Sequence, residues 1–276
     1  MKYQHTKTSR LGNRMVNEDR IGFAEKNGRA LLVLADGMGG YRGGQLASAA
    51  LVNSMLRQFQ QHRRPIDDPP AFLKVLINDA HLAVIRKGAE QYPPVEPRTT
   101  CVVCLIQGDQ AWWAHVGDSR LYLFRGGRML TRTRDHSKIE YLLASGEISE
   151  KELKNHPERN LVTRCVGDRK RPPRPTFSEA FTLQKKDIFL LCSDGLWDAV
   201  SDDYMAETLT ETTLNKAIDR LAYQAEFRSY PEADNISVIA LRWISNESGK
   251  PAESQSEDDE LTQTLRALDA ALEKKH

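Results

Sequence analysis

Three apolar runs end in an aspartate followed by a small residue: LLVLADG at Asp36, WWAHVGDS at Asp118 and IFLLCSDG at Asp194. A fourth aspartate, Asp234, opens the run NISVIAL, and a fifth, Asp19, stands in NEDR just before IGFA. One such residue is ordinary turn chemistry. Five at the margins of apolar runs are not, because a carboxylate weakens a strand and is costly to bury. If the runs are neighbouring strands, their ends converge, and the carboxylates repel unless cations hold them. No His or Cys stands at ligand spacing beside them, and an all-oxygen donor set suits magnesium, manganese or calcium rather than zinc. The calcium reading has little support, since no EF-hand loop pattern is present.

The segment DGMGGYRGG (Asp36–Gly44) follows one of these runs and precedes a helix starting near Gln45. Glycines let backbone and ligand approach closely, and a helix N-terminus favours anions. The chain has no GxxxxGK[ST] and no GxGxxG, so a nucleotide cofactor is not supported. GxSxG and HExxH are also absent, which removes the commonest serine-hydrolase and zinc-peptidase readings.

The elements that must position these residues are short. Strand patterns cover Arg20–Ala24, Ala30–Ala35, Thr99–Ile106, Gln110–Val116, Leu121–Phe124, Asp187–Cys192 and Ile236–Trp243. Several are apolar at nearly every position, which suits strands buried on both faces. The turns at QGDQ and RGGR read as hairpins. Helical spacing joins Val52, Met55, Leu56 and Phe59; Phe72, Val75, Leu76, Leu82 and Ala83; and Ile218, Leu221, Ala222 and Ala225. Asp67, Asp68 and the prolines open the second helix. Hairpins with paired long helices point to sheets covered by helices. Cys101 and Cys104, three apart on a strand pattern, face opposite sides and read as packing residues, as do Trp112 and Trp113.

Of 276 residues, 39 are Lys or Arg and 38 are Asp or Glu, a net charge of +1. That excludes the strongly basic footprint of a generic nucleic-acid binder. No apolar run reaches the roughly 18 residues of a membrane span. The start, MKYQHTKTSR, lacks an apolar signal core, so a cytoplasmic location is expected. Neutrality is a sum of unlike parts. Residues 246–276 hold eight acidic and four basic residues, against thirty acidic and thirty-five basic in the rest. The expected organisation is a catalytic domain over 1–245, a polar acidic linker over 246–260 and an amphipathic helix over 261–276. That helix carries Leu261, Leu265, Leu268 and Leu272 in one stripe, suited to docking in cis or on a partner.

Eight segments, in order, resemble the metal-dependent protein serine/threonine phosphatases (the PPM, or type 2C, family), most closely the bacterial branch. They are RMVNEDR (Arg14–Arg20), LADGMGG (Leu34–Gly40), RTT (Arg98–Thr100), HVGDSRLY (His115–Tyr122), TRDHS (Thr133–Ser137), RNLVTRCVG (Arg159–Gly167), SDGLWD (Ser193–Asp198) and DNISVI (Asp234–Ile239). The resemblance implies an α+β fold, a four-layer α-β-β-α sandwich of two stacked antiparallel sheets flanked by helices. It implies hydrolysis of phosphoserine and phosphothreonine in phosphorylated proteins by a water bridging two manganese or magnesium ions, opposing a serine/threonine kinase. Residue by residue, it makes Asp36 the bridging carboxylate, with the Gly37 carbonyl on the second ion and Asp194 and Asp234 on the first. Asp118, with Asp194, matches a third metal site. Asp19 matches a position contacting cation-bound waters, and Arg14 the arginine that grips the substrate phosphate.

The match has departures. Tyr41 follows DGMGG where bacterial members commonly carry His, and Gln45 stands where an acid is common. Met38 occupies a position that is often His, so that candidate general acid is missing. Three further readings follow from the residues themselves. His115 is a satisfied strand histidine, Asp135 and His136 precede and cap the helix SKIEYLLASG, and Arg169, Lys170, Arg171 and Arg174 form either a solvated loop or a rim for acidic phosphopeptides. The alternatives are a phosphatase specialised for a sigma-factor or secretion-system regulator, or a scaffold of the same fold; intact Asp36, Asp194 and Asp234 speak against the scaffold.

Overall fold

The structure is a computed structural model that describes residues 1–39, 43–149, 152, 156–159 and 161–245. The linker and helix expected over 246–276, and Tyr41, lie outside the described residues.

The apolar runs become strands covered on both faces. One sheet holds β1 (Lys2–Arg10), β8 (Arg120–Arg125), β9 (Arg128–Arg132), β12 (Ile188–Cys192) and β13 (Ile236–Ser245) in the antiparallel order β1-β13-β12-β8-β9. The other holds β2 (Arg20–Lys26), β3 (Arg29–Ala35), β6 (Cys101–Gln107), β7 (Gln110–Val116) and β10 (Thr176–Phe177) in the order β10-β7-β6-β3-β2, with β11 (Phe181–Thr182) also on β7. A small ladder joins β4 (Gly37–Met38) to β5 (Arg98–Thr99). Helices α1 (Gly43–Gln61) and α2 (Pro69–Ala89) follow β4; α3 (Lys138–Ala144) follows β9; α4 (Asp194–Trp197), α5 (Asp202–Glu211) and α6 (Leu214–Ser229) lie between β12 and β13.

Strand alternation sorts the core into three layers. Leu31, Val33, Cys101 and Val103 pack with Leu51, Met55, Leu73 and Ile77 of α1 and α2. Leu32, Leu34, Val102 and Cys104 turn the other way, onto Leu121, Leu123, Phe189 and Leu191 of the first sheet. Tyr122, Leu190 and Val238 point outward onto Met205, Leu209, Ile218 and Leu221 of α5 and α6. This is the expected four-layer α-β-β-α sandwich. Cys101 and Cys104 fall in different layers and all four cysteines are free thiols. Trp112 and Trp113 likewise divide between the helix layer and the inter-sheet layer. The RGGR hairpin forms, with positive φ at both Gly126 (58°) and Gly127 (78°), where any Cβ would be strained.

β1 carries no apolar strand signal: KYQHTKTSR is polar because it is an edge strand with β13 as its one neighbour. Two sequence readings need correction. On α2 the buried face is Leu73, Leu76, Ile77, Ala80 and Val84, while Val75 and Leu82 are 52% and 60% exposed. Apolar residues run consecutively there, so spacing alone does not choose the face. The cap of α3 is Ser137, whose hydroxyl accepts from the Glu140 N–H at 3.3 Å, not Asp135 or His136. Among the described residues no helix is long and apolar enough to cross a membrane.

Candidate active site

Strand register explains why the aspartates meet. Arg20 pairs with Ala35, so Asp19 before β2 lies beside Asp36 after β3. Cys192 pairs with both Val238 and Arg120, which brings Asp194 after β12 next to the start of β13 and the start of β8, and so to Asp234 and Asp118. The two sheets present these ends on the same edge. There Asp36, Gly37, Asp118, Asp194 and Asp234 line one cavity of about 320 Å³, together with Arg14, Glu18, Met38 and Asn235. Asp19 lies beneath, 2% exposed.

The carboxylates are held by their neighbours. The Asp36 backbone is clamped by the RTT segment: its carbonyl accepts from the Thr100 N–H and the Thr99 hydroxyl, both at 2.8 Å, and its N–H donates to Thr100 Oγ1 at 2.9 Å. Asp19 Oδ2 accepts from the Ser193 hydroxyl at 2.7 Å. The Asp118 carbonyl accepts from Trp197 Nε1 at 3.0 Å. The Trp197 ring lies 3.6 Å under the Arg120 guanidinium, which grips Asp135 with two bonds of 2.8 and 2.7 Å. Asp135, Arg120 and Trp197 thus form a buttress behind Asp118. His136 adds to it, accepting the Gly117 N–H on Nδ1 at 3.2 Å and donating from Nε2 to Thr176. His115 is satisfied as expected, donating to the Arg134 carbonyl at 2.7 Å and stacking on His136 at 4.4 Å. Burial holds both rings neutral, with His136 pushed down to about 3.

Gly37 is the point of closest backbone approach. A Cβ there would sit 2.2 Å from the Gly44 carbonyl oxygen, and one on Gly44 would sit 2.7 Å from the Glu18 carboxyl. Only glycine at both positions lets β4 lie against the start of α1.

The electrostatics are those of crowded acids. Burial, then the neighbouring carboxylates, raise Asp36 well above the usual range. Burial first, and Asp194 in second place, take Asp118 to about 7, and burial with Asp234 takes Asp194 to about 6. Burial raises Asp19 to about 8 despite the Ser193 hydrogen bond. Opposing them in the cavity is Arg14, whose Nη2 donates to Asp234 Oδ2 at 2.7 Å.

This donor set fits hard divalent cations. The buried Oδ1 of Asp19 and Oε1 of Glu18 have no hydrogen-bond partner among the described residues. Such atoms are costly to leave unsatisfied. Among the described residues no three His, Cys, Asp or Glu side chains close into a metal-sized cluster; the carboxylates of Asp36, Asp118, Asp194 and Asp234 line the cavity together. Three contributors escaped the sequence reading. Glu18 had its signal in the acidic pair Glu18–Asp19, but Ser193 and Asn235 did not. Asn235 accepts from the Glu18 N–H at 2.8 Å and donates to the Leu11 carbonyl at 2.9 Å, tying the Asp234 turn to the Asp19 segment.

The protein phosphatase 2C family profile matches residues 6–226. The chain belongs to the protein phosphatase 2C family. The serine/threonine phosphatase stp of Listeria monocytogenes is 31% identical over 250 residues, 89% of this chain and 98% of that protein. The Streptococcus agalactiae serine/threonine phosphatase superposes with TM-score 0.80 at 28% identity, over 88% of this chain and 100% of that one. A PstP catalytic domain described in complex with two manganese ions superposes with TM-score 0.75 at 30% identity, over 88% and 99%. This chain is accordingly a bacterial-type protein serine/threonine phosphatase acting on phosphorylated proteins. The phosphatase has Asp36, Asp118, Asp194 and Asp234 of the expected set at one cavity, with Asp19 buried beneath, and carries Met38 rather than a histidine in the lining.

Proposed function

We propose that this phosphatase holds two manganese or magnesium ions with Asp36 between them, the Gly37 carbonyl on one side and Asp194 and Asp234 on the other, with Asp118 and Asp194 offering a third site. The observation that carries this is the meeting of four strand-end aspartates, Asp36, Asp118, Asp194 and Asp234, at one cavity with Asp19 buried beneath it, where Asp19 Oδ1 and Glu18 Oε1 have no hydrogen-bond partner among the described residues. When bound, such cations supply a nucleophile at neutral pH and offset the charge of the phosphoryl oxygens. Asp19, fixed by Ser193, orients the water structure beneath the site. Arg14 grips the phosphate: its side chain and that of Asp234 are 58% and 40% exposed, and such a pair contributes only ~0–1 kcal/mol, so a dianionic phosphate competes for its planar fork. No side chain needs to form a phosphoenzyme. The buttress of Asp135, Arg120 and Trp197 keeps the Asp118 turn from relaxing outward.

The phosphatase opposes a serine/threonine kinase in the cytoplasm, where free thiols such as its four cysteines persist. Residues 1–245 form the catalytic domain, and the leucine stripe of 261–276 docks in cis or on a partner.

Arg14→Gln tests the phosphate assignment. KM for a phosphothreonine peptide rises about 10- to 100-fold, the worth of a charge-assisted bond or two. The rise in unfolding temperature on adding manganese is kept or enlarged, because Asp234 loses a competing cation. An unchanged KM counts against the assignment.

A further inference from the structure

Beside the active-site cavity lies a second one of about 380 Å³, with Thr163, Arg164 and Cys165 on one wall and Lys170, Arg171 and Arg174 on the other. The sequence pointed to the loop; the structure adds Arg164 and leaves Arg169 off the lining. Its four cations form no ion pair among the described residues. Asp168, the acid in the lining, accepts from the Lys170 backbone N–H at 2.9 Å and keeps its charge, which leaves the four cations in excess. Arg164 spends one N–H on the Arg174 carbonyl at 3.3 Å, which fixes the head and leaves the rest of the fork for an anion.

The wall of this pocket is locked to the catalytic edge. Val162 lines the active-site cavity, and the next three residues line the basic one. Thr163 donates from both its N–H (2.8 Å) and its hydroxyl (2.9 Å) to the His136 carbonyl. Val166 exchanges two backbone bonds with Thr99, at 2.8 and 3.0 Å, and Thr99 is the residue that clamps Asp36. From Val162 to Arg164 or Cys165 is two to three residues of extended chain, roughly 7–10 Å. A substrate in extended conformation advances about 3.3 Å per residue, so one with its phosphate in the cavity lined by Arg14 and Val162 reaches the neighbouring pocket within a few residues.

Building on the phosphatase reading above, we propose that this pocket is a substrate subsite for an anionic side chain, a carboxylate or a second phosphate, within a few positions of the residue being dephosphorylated. Clustered exposed cations raise the local concentration of acidic peptides and are screened by salt over about 8 Å at 0.15 M. The enzyme therefore prefers acidic phosphopeptides, more strongly at low ionic strength.

The experiment compares kcat/KM for three phosphothreonine peptides, carrying glutamine, glutamate or phosphoserine at positions two to four on both sides, with p-nitrophenyl phosphate as reference. Manganese and two salt concentrations are used, for the wild type and R164Q/R171Q/R174Q. The expected result is an acidic preference of about five- to twentyfold over the glutamine peptide, weaker at high salt and lost in the variant relative to the reference ester. The larger of the two acidic preferences identifies carboxylate or phosphate as the ligand. Equal rates on all three peptides, a preference retained in the variant, or a parallel loss on the small ester overturns the subsite while leaving the phosphatase standing. No release from any substrate overturns both.

Discussion

Asp36→Asn is expected to lower phosphate release by about 1,000-fold or more, the scale of losing a preorganised charge at the reacting centre. The fold survives, because what holds Asp36 in place is its backbone, clamped by Thr99 and Thr100. In metal-free buffer the variant unfolds at the same temperature as the wild type or higher. The reason is electrostatic: burial and the charges of Asp19, Asp194, Asp118 and Asp234 all push the Asp36 carboxyl up, and an amide of the same shape removes that repulsion. The wild type gains from manganese what mass action gives a ligand of the folded state, about 2.7 kcal/mol at a hundredfold excess over Kd, or roughly 5–10 °C for a domain of this size. Asp36→Asn loses most of that gain. Scanning both proteins with and without manganese, alongside circular dichroism, separates this from simple misfolding. A variant that keeps its turnover, or keeps the full manganese gain, rules out Asp36 as the carboxylate between the cations.

The second large effect is on stability against pH. Asp19 titrates at about 8 in the folded, metal-free chain, chiefly through burial, against 3.8 ordinarily. Below pH 4 it is protonated in both states and contributes nothing. Between pH 4 and 8 the folded chain keeps a proton that the unfolded chain has released, so stability falls as pH rises, by a total of several kcal/mol that is complete above pH 8. Asp118 (about 7) and Asp194 (about 6) act in the same direction over narrower windows. Asp19→Asn removes the largest share while its amide oxygen still accepts from Ser193. The metal-free variant is thus expected to match the wild type near pH 4 and to exceed it increasingly toward pH 8, by on the order of 10–20 °C. Unfolding curves at half-unit pH steps in chelator measure this. A difference that is flat with pH would mean that Asp19 does not carry the burden assigned to it.

These two effects show why some of the site was legible in the sequence. Asp36, Asp118 and Asp194 stand out because a carboxylate closing an apolar strand contradicts its surroundings, and that conflict is local. Ser193 and Asn235 give no such conflict. A serine before Asp-Gly and an asparagine before a strand are unremarkable until the register sets Ser193 against Asp19, 174 positions away, and Asn235 against Glu18, 217 away. The fold divides in the same way. Strands buried on both faces, such as LLVLA, announce themselves by composition, whereas β1 is polar because it is an edge, and only its pairing with β13 reveals it. On α2 the run of Phe72, Leu73, Val75, Leu76 and Ile77 supports two faces, and the contact with α1 and the sheet selects one. Arg164 was hidden for a third reason: it joins Lys170, Arg171 and Arg174 only through the bend between Cys165 and Arg174.

The carboxylates of this cavity work by holding divalent cations for phosphoester hydrolysis. Phosphate release from a phosphothreonine peptide, measured on chelator-stripped enzyme and then across a manganese titration, tests it most directly. No release is expected after stripping, and activity returns saturably with manganese. Equal turnover in chelator and in saturating manganese would contradict it.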